Sequence, residues 1–163
     1  MHSVFSQANE GEPVLKKAIT YILLERPYRK KELPQIAGIL ERSGSRLEQK
    51  MRRLDETDRN RIVLRHIIGI ERWGQRRLQV ALGEPLAQDE YDDYRPERQA
   101  AWQDYLADFH HTRARTVSLA HDLHEARVKL SRAIPHNQYG DLTVRGWLRY
   151  LEMHAKLESR RLR

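Results

Sequence analysis

The sequence has no cysteine, which removes disulfide frameworks, thiolate zinc sites, iron–sulfur clusters and cysteine nucleophiles together. Any metal site must then be built from His, Asp and Glu. No apolar run approaches the roughly 18 residues of a membrane-spanning helix, and the best stretch, Ala18 to Leu24, is far shorter. The opening Met1-His2-Ser3-Val4-Phe5 lacks the basic and apolar regions of a secretory signal, so the expectation is a cytoplasmic protein with no membrane partner. Strand signals are scarce as well: no Asn-Gly or Asp-Gly hairpin turn occurs, and β-branched residues seldom alternate with polar ones.

What is present fits one helical domain. The chain has 163 residues, 39% of them hydrophobic, and a formal charge of +7. A domain of this size buries about 68 to 70% of the surface its unfolded chain exposes, enough for a core without crosslinks. The positive balance admits a nucleic-acid partner. Yet charged residues of both signs are interleaved along the chain, which is also how an ordinary helical surface reads.

Apolar periodicity marks out the elements. Leu15, Ala18, Ile19, Ile22 and Leu23 give a short first helix that begins near Gly11 to Pro13 and stops at Pro27. Leu33, Ile36, Ile39, Leu40, Leu47, Met51 and Leu54 give a second, with a bend expected near Ser43 to Ser45 where Gly44 weakens it. After a polar capping turn at Asp55 to Asp58, the segment Ile62 to Leu82 is apolar on most sides around Ile67 and should be deeply buried. Gln88 to Tyr94 reads as a long surface connection, and Pro96 as the first residue of a helix through Trp102, Leu106, Phe109, Val117, Ala120 and Leu123. A less regular piece, His124 to Tyr139, leads to Gly140. Asp141 or Thr143 then caps a last helix through Val144, Trp147, Leu148, Leu151, Ala155 and Leu162. Four long helices without a repeating unit imply an all-α four-helix bundle over residues 33–163, with residues 1–32 as an extension carrying the short extra helix.

Two histidines stand out on apolar faces. Trp147, Leu151, His154 and Glu158 follow at helical spacing, so the imidazole and the carboxylate share the inward stripe of the last helix. His66 lies on the stripe of Ile62, Gly69, Ile70 and Trp73, and a lone buried imidazole is costly unless hydrogen-bonded or ligated. If the two helices face each other, His66, His154 and Glu158 converge on one divalent metal, and two His with one carboxylate suit Zn²⁺, Ni²⁺ or Fe²⁺. The alternative is a hydrogen-bonded core histidine beside a solvated i, i+4 His and Glu pair.

The segment Leu64-Arg-His66-Ile-Ile-Gly-Ile-Glu71-Arg-Trp73, the stretch from Asp92-Asp-Tyr-Arg-Pro, and His136-Asn-Gln-Tyr-Gly140-Asp-Leu-Thr143 leading to Leu148-Arg-Tyr-Leu-Glu-Met-His154 together resemble the DinB/YfiT-like family of metal-dependent proteins. This is the damage-inducible family of that name, not the DNA polymerase. The resemblance covers roughly residues 33 to 162 and implies an up-down-down-up four-helix bundle, commonly a homodimer, with one divalent metal on three His. Carried over by position, His66 and His154 take two of those roles, and Glu158 stands where the family has its third His. The resemblance also implies metal-dependent hydrolysis or transfer of a low-molecular-weight thiol; with no cysteine in the chain, a thiol nucleophile comes from a cosubstrate. His136 matches a histidine that related proteins often carry before the last helix, and its alternative is a cap on the Gly140 turn. Glu71 is a candidate ligand-orienting residue or general base, or else an ion-pair partner of Arg72, Arg76 or an arginine of another helix. His110, His111, His121 and His124 read as surface residues.

Two other functions stay open. Lys50, Arg52, Arg53, Arg59, Arg61, Arg65, Arg72, Arg76, Arg77, Arg160, Arg161 and Arg163 are cations that nucleic acid would need on one face. A metal-free bundle could instead hold a small apolar ligand against Trp73, Trp102 and Trp147.

Overall fold

The computed structural model describes residues 11–163, with side chains from Val14 onward. Helix α1 (Gly11–Thr20) runs into a π turn at Tyr21–Glu25 and a 3-10 turn at Arg26–Tyr28, where Pro27 ends it as its missing N–H requires. Helix α2 (Leu33–Met51) starts with Pro34 in its first turn and the Gln35 side chain accepting from the Glu32 N–H at 3.0 Å. It is continuous through Gly44, so the bend expected at Ser43 to Ser45 is absent. The glycine serves packing instead: a Cβ there would lie 2.6 Å from Arg113 Cγ.

Helix α3 (Asp58–Gln79) is capped by Thr57, whose side chain accepts from the Asn60 N–H. Helix α4 (Trp102–Glu125) begins six residues after Pro96, where the sequence suggested its first turn. Arg95 is extended, and the cap forms at Ala101, whose N–H donates to Asp104 at 3.3 Å. Helix α5 (Val144–Glu158) is capped by Thr143, accepting from the Gly146 N–H at 3.0 Å.

The protein is mostly helical, but residues 133–143 depart from an all-helical chain. Strands β1 (Ala133–His136) and β2 (Gly140–Thr143) pair antiparallel, with His136 opposite Gly140. Gly140 has φ of +74°, which lets a three-residue loop close the hairpin. The His136 ring completes the turn, with Nδ1 accepting the N–H groups of Gln138 and Tyr139 at 3.1 and 3.3 Å. The signal was a glycine after a three-residue loop, weaker than the Asn-Gly pair whose absence argued against strands.

Helix α4 packs on α2 and α3, and α5 on α3. At the last contact Gly74 meets Leu151, and a Cβ on Gly74 would overlap the leucine methyl groups. Trp73 and Trp147 stack edge to face beside it at 5.2 Å, both buried, with Trp147 Nε1 donating to the Ile134 carbonyl at 3.0 Å. Trp102 is buried in a separate cluster around Phe109 and Ile67. All three tryptophans are buried in the core.

The core also holds a buried ion pair. Arg113 Nε and Nη2 donate to Glu71 at 2.6 and 2.9 Å, Thr116 Oγ1 donates to the same carboxylate at 2.7 Å, and Arg113 Nη1 reaches Ser43 Oγ at 2.8 Å. Burial works against the Arg113 charge, but the Glu71 carboxylate raises its pKa above the usual arginine value. This network ties α2, α3 and α4 through nearly inaccessible atoms. Removing one partner of such a pair strands the other charge and costs about 3 to 5 kcal/mol. Glu71→Ala should therefore lower unfolding stability in a denaturant titration by that amount, whatever it does to metal binding.

Candidate metal centre

The close approach of α3 and α5 brings His66 and His154 face to face. Their Nε2 atoms are 3.2 Å apart, across 88 residues of chain, and the rings lie at 66° with centroids 5.0 Å apart. One oxygen of Glu158 joins them, all three ligand atoms lying within 4.8 Å of one another. Glu158 is the last α-helical residue of α5. The end of that helix is held against the start of α3: buried Asn60 Nδ2 donates to the Arg163 carbonyl at 2.7 Å and its Oδ1 accepts the Arg163 N–H at 3.1 Å. Lys50 also donates to the Ser159 carbonyl.

The spacing of the two imidazoles suits a shared ion. Two nitrogens at about 2.0 to 2.1 Å from a tetrahedral zinc stand about 3.3 Å apart. The Glu158 oxygen lies within 4.8 Å of both nitrogens, and at the end of the helix its carboxylate can close on an ion they share. Burial is the main cause that lowers the pKa of both rings, with His154 pushed down to about 4. His66 opposes protonation of His154, whereas Glu158 favours protonation of both. Both imidazoles are therefore neutral at pH 7, as ligation requires.

Neighbours from outside the two helices shape the site. Gly69, three residues past His66, lets the 3-10 turn Tyr91–Tyr94 press onto α3, since a Cβ there would lie 2.7 Å from Arg95 Cγ and 3.1 Å from the Tyr91 carbonyl. The connection at Gln88 to Tyr94 runs along the surface as expected, with Tyr91 and Tyr94 half-buried against α3. Asp89 anchors it, accepting from Trp73 Nε1 and Arg77 Nη2, each at 3.1 Å, and from the Tyr94 hydroxyl at 2.5 Å. Tyr91 meets His66 edge-on at 5.2 Å. Arg95 sets its Nη2 3.5 Å from His66 Nδ1 while pairing with Asp92 at 2.8 Å. A cavity of about 460 Å³ opens beside it, lined by Arg65, Asp92, Arg95, Pro96, Glu97 and Arg98.

Of the other residues singled out from the sequence, Glu71 is not among the three that converge. Both its oxygens face Arg113 and Thr116, the arrangement anticipated as pairing with another helix's arginine. His136 is buried between Trp73, Trp147, Tyr139 and Tyr150 at centroid distances of 4.7 to 5.0 Å. Since Nδ1 accepts two backbone N–H groups, the proton sits on Nε2, which has no partner among the described residues. Burial, reinforced by Arg77, His154 and Lys16, lowers its pKa to about 3. Tyr150 lies next to both His136 and His154, and burial raises its phenol well above the ordinary value, so it stays protonated. Its position one turn before His154 was legible on the stripe; Tyr91 and Arg95 were not, because a connection rather than a helix brings them in. His110, His111, His121 and His124 are exposed.

The basic residues that suggested nucleic acid are largely engaged within the chain. Arg77 is buried against Asp89, Arg72 pairs with Asp108 at 3.0 Å, Arg61 pairs with Glu56, and Arg59 donates to the Arg161 carbonyl at 3.1 Å.

Two outcomes follow from this geometry. A ligating histidine normally donates its second N–H to an acceptor, but Arg95 offers only a donor and a positive charge. Arg95→Gln supplies a carbonyl oxygen at the same place, and zinc affinity measured by competition with a chromophoric chelator should tighten about tenfold. For His136, the unfolded ring takes up a proton below about pH 6.5 while the folded one stays neutral to about pH 3. Stability is therefore lost as pH falls through that window, by about 1.4 kcal/mol per pH unit. The slope of unfolding free energy between pH 7 and pH 5 should flatten in His136→Asn, which keeps the turn acceptor and cannot titrate.

No family model matches the chain, and neither a curated protein nor a solved structure matches it, so the chemistry of the centre is read from its own residues.

Proposed function

We propose that the protein is a divalent-metal-dependent enzyme of the DinB/YfiT-like kind, a hydrolase or a transferase that uses a low-molecular-weight thiol. His66, His154 and Glu158 hold the ion, Zn²⁺, Ni²⁺ or Fe²⁺. The observation that carries this reading is the 3.2 Å approach of two half-buried, neutral imidazole nitrogens from separate helices, with a carboxylate beside them. A hydrogen bond from one ring to the other would satisfy the facing nitrogens, and Glu158 already pairs with Arg161; what favours a metal is that all three ligand atoms lie within 4.8 Å of one another. The same reading includes the up-down-down-up bundle order and a homodimer, both from the family resemblance, and a cytoplasmic location, from the sequence's lack of a spanning run and a secretory signal.

A divalent ion bound there supplies a Lewis acid with open positions, able to activate water near neutral pH or to bind a cosubstrate thiol as thiolate. The chain's residues set the conditions around it. Burial keeps both imidazole lone pairs available at pH 7. Glu158 contributes the one negative charge among the three ligands, so the centre keeps a net positive charge that favours an anionic nucleophile. Arg161 donates to Glu158 Oε2 at 2.7 Å and orients the carboxylate from the solvent side. Tyr91 and Tyr150 flank the two rings and exclude water from their outer faces. Arg95 lines the open cavity and also lies 3.5 Å from His66 Nδ1, from where it can orient an anionic group of a substrate. Glu71, held by Arg113 and Thr116, takes no part in proton transfer.

Titrating the untagged protein with zinc should give one site, and an ion at a hundred times its dissociation constant should add about 2.7 kcal/mol of stability. His66→Ala and His154→Ala should each abolish both effects while the helical circular dichroism persists. Retention of the thermal shift in either variant would contradict the assignment.

A further inference from the structure

We propose that α1 and the turns after it form an interfacial anchor that lays the protein on an anionic lipid surface. Of the exposed large hydrophobic side chains among the described residues, six crowd into ten positions: Val14, Leu15, Ile19, Tyr21, Ile22 and Leu23, with exposures between 46% and 67%. The other five, Ile62, Leu82, Leu86, Tyr139 and Leu157, are scattered along the chain, as on any soluble surface.

Most of the exposed group shares one face. At about 100° per residue, Val14, Leu15, Ala18, Ile19 and Ile22 fall in an arc roughly 140° wide, Tyr21 and Leu23 lie just beyond its two edges, and the buried positions Thr20 and Leu24 fall on the opposite side. Every side chain from Val14 to Ile19 is exposed, Lys16 and Lys17 included, and the apolar arc is turned away from the buried side, the reverse of a helix that belongs to a core. The attachment is firm. Leu24 and Tyr28 are in the main core with Leu33, the Glu25 carboxylate accepts the Thr143 N–H at 2.9 Å and its hydroxyl at 2.5 Å, and Arg149 and Arg145 donate to the carbonyls of Leu23 and Lys31.

Charge selects the occupant. Between Val14 and Lys31 the chain carries Lys16, Lys17, Arg26, Arg29, Lys30 and Lys31. The one carboxylate in that stretch, Glu25, is consumed by Thr143. Lys16 and Lys17 sit on the two flanks of the apolar arc, where their stems can lie along it and their ammonium groups can reach headgroups. A second copy of the chain on this face would bring two such cationic rims together. An anionic bilayer meets both features at once, the stripe entering the acyl boundary and the cations facing the headgroups. Such a helix lies in the plane of the surface. It needs no membrane-spanning length, which no helix among the described residues has.

The test is flotation of the full chain with vesicles of phosphatidylcholine alone and with vesicles containing 30% phosphatidylglycerol, about 0.1 M salt being present. Binding should appear with the anionic vesicles and fall with added salt. It should weaken about fivefold for each of Lys16→Gln and Lys17→Gln and be lost in the Ile19→Asp, Ile22→Asp double variant. Both isoleucines are exposed, so that variant should keep the wild-type melting temperature and zinc binding, which separates this idea from the metal assignment. Absence of flotation with anionic vesicles would overturn it. So would equal binding to neutral vesicles, or a dimer on light scattering that dissociates in the double variant while no vesicle binding is seen.

Discussion

The candidate centre depends on how closely two helices approach at a single glycine. Gly74 carries no side chain, and Leu151 of α5 occupies the space a Cβ would need. Any larger residue would hold the helices apart, and the imidazoles beyond this contact would lose their 3.2 Å spacing. Trp73 and Trp147 fill the region beside the glycine, while Asn60 fastens the far end of α5 to the start of α3. Packing thus fixes the distance between the two histidines before any ligand is considered. Glu71 and Arg113 do the corresponding work for α2, α3 and α4.

Electrostatics within the site pull in two directions. Desolvation keeps the imidazoles neutral and Glu158 adds a negative charge, both of which favour a cation. Arg95 and Arg161 add positive charge on either side, each paired with one carboxylate, Asp92 and Glu158. A centre of this composition is weaker than one whose histidines donate to carboxylates, and its ion keeps more of its electrophilic character. The arginine that limits affinity also borders the open cavity, so the same charge that weakens metal binding gives a substrate anion something to meet.

Much of this was legible in the residue order. The inward stripe of Trp147, Leu151, His154 and Glu158 and the apolar setting of His66 point to one another because helical periodicity is a local property, and both faces are as the spacing requires. What was hidden depends on long-range contacts. The turn at Tyr91 to Arg95 reads as a surface connection, which it is, but no local pattern says that the space left by Gly69 lets it sit against His66. Arg113 looks like one more surface cation until Gly44 and Glu71 are seen on either side of it. The hairpin at residues 133–143 escaped because its loop has three residues and its pairing is closed by a histidine side chain. The first helix shows the opposite failure of pattern: its periodicity is real, but its apolar face is turned outward, and periodicity alone carries no sign for inside or outside.

The central claim is that His66, His154 and Glu158 share one ion. Anomalous diffraction from crystals grown with zinc, recorded on both sides of the zinc absorption edge, tests it directly. The account predicts one strong peak about 2.0 to 2.2 Å from His66 Nε2, His154 Nε2 and a Glu158 oxygen. Absence of a peak at saturating zinc, with the two rings joined by a direct hydrogen bond and Glu158 turned to Arg161, would contradict it.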